Sequence, residues 1–152
     1  MADSRVHKQV ETWITQEWLL KQVGQPFTES QLPLESGGVF RFDAVSEDHQ
    51  IVANISTSAL KTSKGKHGTA KIQKIRSDIY FLILVRAKRK LIVLSERDMH
   101  TWWLSEVDRG RVPAEIEFLH ATIPDVLDSA LRTSRQQASQ EVTRNVSASQ
   151  EQ

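Results

Sequence analysis

Three polar side chains on two neighbouring apolar runs are the most direct route from this chain to chemistry. Gly38-Val39-Phe40-Arg41-Phe42-Asp43-Ala44-Val45-Ser46 carries one acid, Asp43, and Gln50-Ile51-Val52-Ala53-Asn54-Ile55-Ser56-Thr57 carries Asn54 and Ser56. Both runs read as strands, joined as a hairpin by the polar turn Glu47-Asp48-His49-Gln50. Side chains alternate along a strand, so Arg41, Asp43 and Val45 are predicted on one face, and Asn54 shares a face with Val52 and Ser56. A four-residue turn pairs Ser46 with Ile51 and sets Asp43 opposite Asn54, which predicts that Asp43, Asn54 and Ser56 crowd one patch. A slip of one residue would turn Asn54 and Ser56 to the other side.

With these residues in place the chain resembles the PD-(D/E)XK, or restriction-endonuclease-like, superfamily. Its members keep an acid on one strand of a hairpin and an acid-x-lysine on the next, after a helix that often supplies a glutamate. Asp43 matches the first acid, Asn54 stands where the second acid belongs, and Ser56 stands where the lysine belongs. The resemblance covers roughly residues 5–95 and implies a restriction-endonuclease-like fold, a three-layer α/β/α sandwich around a central mixed sheet. It also implies a nucleic-acid partner and Mg²⁺, held by two carboxylates, that polarises the scissile phosphate and activates water. Asn54 offers only a neutral carbonyl oxygen, and Ser56 cannot replace a cation. The resemblance therefore implies a divergent, nuclease-like, nucleic-acid-associated protein with weak or no metal-dependent hydrolysis, and Mg²⁺ held weakly if at all.

Two other readings stay open. One is an active Mg²⁺-dependent nuclease (a phosphodiesterase) whose site is rebuilt from Glu17, Asp43, Asn54 and a lysine among Lys61, Lys71 and Lys74. Glu17, on the apolar stripe of the first helix, could complete a metal site with Asp43, or it pairs with Lys21 one turn later and reaches out to solvent. Lys71, Lys74 and Asp78 share one face of a later helix, where a migrated lysine could reach the strand patch, or Lys74 and Asp78 form a plain surface pair. The other reading is a non-catalytic interaction module, a homodimer included.

The net charge of +1 hides an uneven distribution. Residues 1–60 hold four basic and eight acidic side chains, residues 61–90 ten basic and one acidic, and residues 91–152 six basic and ten acidic. The basic band is where a polyanion would bind, unless it is simply a solvated face. Within it, Lys61, Lys64, Lys66, His67, Lys71 and Lys74 are the predicted nucleic-acid contacts, with DNA preferred to RNA. Ser58 to Gly68 has Gly65-Lys66 but not G-x-x-x-x-G-K-[ST], so it reads as a basic loop touching phosphates rather than a nucleotide cradle. His7, His49, His67, His100 and His120 lack metal-ligand spacing, and no G-x-S-x-G is present. Of Trp102 and Trp103, consecutive in sequence, one should face the core.

The elements that must position these residues follow from periodicity. Residues 5–23 predict an amphipathic helix with Val6, Val10, Trp13, Ile14 and Leu20 on one side and Gly24 as its stop. A loop with a short strand around Leu32–Leu34 leads into the hairpin. Thr69 to about Val85 predicts a helix on the stripe Ile72, Ile75, Ile79, Leu82 and Ile83, its far end buried on most sides. Lys90–Leu94 reads as an internal strand, Ser95 as the cap of a third helix, Glu115–Ile123 as a strand, and Pro124 as the opening of a last helix. One sheet covered on both faces is the predicted architecture. Residues 1–132 make one α/β domain, and the Ser/Gln-rich residues 133–152 predict a disordered tail or frayed helix. The chain has no cysteine, so disulfides and thiol chemistry are excluded, and no apolar run reaches the ~20 residues of a membrane span. The absence of a basic-then-apolar leader predicts a cytoplasmic protein.

Overall fold

The computed structural model describes residues 4–61 and 68–150, with side chains to residue 138. Helix α1 (Ser4–Trp13) passes through a single π turn (Ile14–Trp18) into α2 (Leu19–Val23). The buried positions run Val10, Ile14, Thr15, Leu19, so the step after Ile14 is five residues instead of four. That extra residue rotates everything beyond it, and Leu20, predicted on the buried stripe, is exposed. Gly24, at φ 87°, ends α2 in the left-handed conformation, its N–H donating to Leu20 O at 2.8 Å.

Five strands follow: β1 (Phe27–Pro33), β2 (Val39–Ser46), β3 (Ile51–Ser56), β4 (Arg89–Leu94) and β5 (Ile116–His120). They lie in the sheet in chain order, β1, β2 and β3 antiparallel to one another, then β4 and β5 parallel to β3. Strand β1 is longer than the short segment expected around Leu32–Leu34. It is an edge strand whose Thr28, Glu29, Ser30 and Gln31 carry no apolar alternation to announce it. Helices α3 (Thr69–Leu84) and α4 (Arg97–Asp108) link the parallel strands, and α5 (Asp125–Gln150) closes the chain.

Two apolar layers flank the sheet. Val10, Ile14 and Leu19 pack with Ala44, Ala53, Leu91, Val93 and Leu131 on the α1/α5 side. Phe42, Val52, Ile92 and Leu94 pack with Ile75, Leu82 and Trp103 on the α3/α4 side. The chain is thus an α/β protein with a five-stranded mixed open sheet between two helical layers. Strand β4 reads as an unbroken apolar run because both its faces are covered. Two local details differ from the sequence reading, and a third concerns the end of α5, where the sequence predicts a disordered tail or frayed helix. The far end of α3 keeps an open side, with Tyr80 and Ile83 exposed. Ser95 does not cap α4: its hydroxyl donates to Glu96 Oε2 at 3.0 Å, and Asp98 accepts the N–H groups of Met99 and Leu60. Helix α5 continues past residue 132 because Ser134 is buried and Arg135 is bonded to the sheet ends. Among the described residues no helix is long and apolar enough to cross a membrane.

Candidate functional site

A bulge in β2 decides where the acid goes. Thr28 pairs with Val45 and Ser30 with Phe42, so Glu29 alone faces two residues, Asp43 and Ala44. Two residues opposite one is a β-bulge, which re-aims the side chains at that point. Ala44 joins the α1/α5 layer and Val45 the α3/α4 layer, while Asp43 lines a cavity of about 210 Å³ under α1 with Lys8, Glu11, Thr15 and Phe27. Strand β3 has no such break. Its parallel register with β4, Asn54 to Ile92 and Ser56 to Leu94, fixes both residues on the α3/α4 face.

The β2–β3 register is the one the four-residue turn predicts, Ala44 with Ala53 and Val45 with Val52. Asp43 does come opposite Asn54. The single patch does not form, because the bulge sends Asp43 to one face while Asn54 and Ser56 stay on the other, and Val45 leaves the face of Arg41 and Asp43. Where the ladder stops, side chains bond the opposite backbone. The Asp43 N–H donates to Asn54 Oδ1 at 3.3 Å, and the Ile55 N–H donates to Asp43 Oδ2 at 2.8 Å. Asn54 is buried and its Nδ2 reaches Asp78 O on α3 at 3.5 Å. Asp43 and Asn54 therefore meet edge-on through the seam between the strands.

Acids gather around that seam. Burial pushes the Asp43 carboxyl up, against the Ile55 N–H that lowers it. Burial and then the neighbouring Asp43 push Glu11 up. On the α3 side Asp78, 8% exposed, is pushed up to about 6 by burial, offset in part by Lys74, whose Nζ lies 3.6 Å from Asp78 Oδ2. At the rim Lys8 and Arg41 hold Glu29, the residue opposite the bulge.

The remaining predicted residues are dispersed. Glu17 is exposed, in a groove with Trp13, Trp18, Lys21 and Pro124 and not in the cavity that Asp43 lines. The π turn rotated it off the stripe on which a regular helix would have kept it. Lys74 stands by the seam, but Lys71 does not: burial and then Arg135 lower its pKa, and its acidic neighbours are Asp98 and Glu96. Lys61 is exposed, its N–H directed to Asp98 Oδ2 at 3.4 Å. Ser56 Oγ accepts the Ser58 N–H at 3.4 Å. Lys64, Lys66 and His67 lie outside the described residues.

Glu11 is the site residue that sequence reasoning missed. Asp78 enters that reasoning only with Lys71 and Lys74 and as the partner of Lys74; the pair forms, but its carboxyl is buried rather than on a plain surface. Glu11 borders Val10 on the inner stripe and precedes Thr15 by one turn, a signal that an unbroken helical period gave to Glu17 instead. Asp78 was visible as the sole acid in the basic band.

The donor set fits Mg²⁺ poorly. Among the described residues no group of three histidines, cysteines or carboxylates is placed to hold a metal. Burial resists ionisation of both Glu11 and Asp43, Asp43 adds to that resistance at Glu11, and the carbonyl of Asn54 is engaged by the Asp43 N–H on the other side of the seam. Mg²⁺ wants near-octahedral oxygen ligands with one or two carboxylates among them, and Asn54 faces the layer opposite the cavity that Asp43 and Glu11 line. No protein-family model, curated protein or solved structure matches the chain.

Proposed function

We propose that this protein is a divergent nuclease-like domain that associates with nucleic acid, DNA in preference to RNA, and has weak or no metal-dependent hydrolysis. The observation that carries the reading is the bulge at Asp43. It sets one carboxylate beside Glu11 in a small cavity at a strand seam, in the hairpin layout the resemblance requires, yet leaves Asn54 and Ser56 facing the opposite layer. The scaffold has kept the acid's position and lost the converging ligands. Binding is assigned to the 61–76 part of the basic band, with Lys61, Lys71 and Lys74 as the predicted contacts among its described residues. A polyanion held there releases counterions, so affinity should fall steeply with salt.

The test is a thermal-shift titration with Mg²⁺ and Mn²⁺ on wild type and Asp43→Ala, beside cleavage assays on single- and double-stranded DNA and RNA. The expected result is no metal-dependent shift, no cleavage, and DNA binding that weakens with a steep salt slope. Metal-dependent cleavage that disappears in Asp43→Ala would instead establish a working nuclease.

A further inference from the structure

On the outer side of the α3/α4 layer, one buried carboxylate is surrounded by three arginines. Glu106 is 3% exposed and lies 3.7 Å from Arg76 Nη2, 3.7 Å from Arg109 Nη1 and 3.4 Å from Arg111 Nη1. Three guanidiniums against one carboxylate leave two positive charges over. Each guanidinium carries five N–H donors, whereas a carboxylate has about four lone-pair sites, so the cluster is rich in donors. Only Arg111 comes within hydrogen-bond reach of Glu106. All three arginines have solvent-accessible side chains.

Aromatic and apolar surface adjoins this charge. The Arg76 guanidinium lies 5.9 Å and 5.8 Å from the ring centres of Trp102 and Trp103, which keeps its plane ordered. A cavity of about 220 Å³ opens between Arg76, Tyr80, Ile83, Trp103 and Arg111. Tyr80 is 58% exposed, one helical turn beyond Arg76 on α3. Trp103, one of the lining residues, keeps its indole N–H buried and without an acceptor among the described groups. An exposed ring beside a donor-rich cationic pair suits a ligand that has a flat apolar face and an anion close to it.

We infer that this cleft is a second contact for single-stranded nucleic acid, in which one base stacks on Tyr80 and the adjoining phosphate is held by Arg76 and Arg111. The inference deepens the proposed function and rests on its nucleic-acid partner; it shares Arg76 with the basic band and adds Tyr80 and Arg111 as contacts that reading does not name. Guanidinium forks match phosphate oxygens, and a tyrosine face accepts any base, so the contact is sequence-tolerant. Glu106 holds the arginines in position and is not itself a contact.

The experiment measures binding of a fluorescent oligothymidylate by the full chain across a salt series. Wild type is compared with Tyr80→Ala, Arg111→Gln and Lys71→Gln/Lys74→Gln, each first confirmed to melt cooperatively. Because Tyr80 is largely exposed, its alanine variant should fold. Tyr80→Ala is expected to weaken binding at least about fivefold, the effect of one lost stacking contact. Arg111→Gln should reduce the magnitude of the log–log salt slope by roughly 0.7, the value for one phosphate on a single strand. Unchanged affinity in both variants, with weakening in the lysine pair, overturns this contact and leaves the proposed function standing. Weakening in Tyr80→Ala but not in the lysine pair supports the cleft and overturns the basic band as the binding element. No binding by wild type overturns both. An aspartate-rich peptide that competes as well as the oligonucleotide, in a Tyr80-dependent way, overturns the assignment in favour of an acidic protein partner.

Discussion

Asp78→Asn should stabilise the protein at pH 8 by about 2–3 kcal/mol and leave it unchanged at pH 4. The carboxyl group sits under α3 beside the seam, and burial pushes its pKa up from 3.8 to about 6. In the unfolded chain it ionises near its ordinary value. Between about pH 4 and pH 6 the folded state therefore holds a proton that the unfolded state has released, and stability falls as pH rises through that window. Above about pH 6 the loss is complete, and it amounts to about 1.4 kcal/mol for each unit of displacement. Asparagine has no charge to desolvate. The variant forgoes the Lys74 pair, which is exposed on the lysine side and contributes a few tenths of a kcal/mol. Urea unfolding of wild type and variant at pH 4, 6 and 8 measures this directly. A variant less stable than wild type at pH 8 would show that something in the fold favours the ionised acid. Glu11 and Asp43, also displaced upward, contribute with the same sign.

The second large effect belongs to Arg135. Its Nη1 lies 2.6 Å from Glu96 Oε1, and its Nη2 donates to the Thr57 carbonyl. One side chain from α5 thus ties the ends of β3 and β4 together. Arg135→Met keeps most of the aliphatic length but leaves a mostly buried Glu96 carboxylate without its cation. Removing one partner of a buried pair costs about 3–5 kcal/mol, and the residual exposure of both groups brings the expectation here to roughly 2–3 kcal/mol. Truncation after residue 132 should cost at least as much, since it also removes the buried Ser134. Chemical denaturation of both variants, with Glu96→Gln to complete a double-mutant cycle, separates the pair from general packing. A truncated chain as stable as the full one would place the end of the folded unit at residue 132 after all.

That boundary shows what the sequence could and could not carry. Residues 133–150 have the composition of a solvated tail, and composition gives no hint that one arginine will find a carbonyl and a carboxylate across the sheet. Helix α3 was legible to within a residue because its isoleucines recur at the helical period between a glycine and an extended Val85. Strand β4 was legible because a strand buried on both faces must be apolar throughout. The β2–β3 register followed from turn length alone. The bulge was not legible, because it arises from pairing with β1, a polar edge strand without alternation of its own, so the shared face for Asp43, Asn54 and Ser56 did not survive. The π turn was equally silent: nothing in Ile14–Trp18 marks an added residue, and it exchanged Glu17 for Glu11 as the helical acid near Asp43.

The order of the strands has a kinetic consequence. Every strand neighbours the one made just before it, so the sheet can be extended one strand at a time, and each step closes only a hairpin or a strand–helix–strand loop. Hairpin loops carry small closure entropies, whereas the two parallel pairings wait on a crossover helix and form more slowly. The exception is the layer made by α1 and α5, elements from opposite ends of the described chain that pack on each other and on the same sheet face. On a ribosome, the face bearing α3 and α4 could assemble while synthesis proceeds. The face that shelters Glu11 and Asp43 would stay open until Leu131 and Arg135 had emerged to close it.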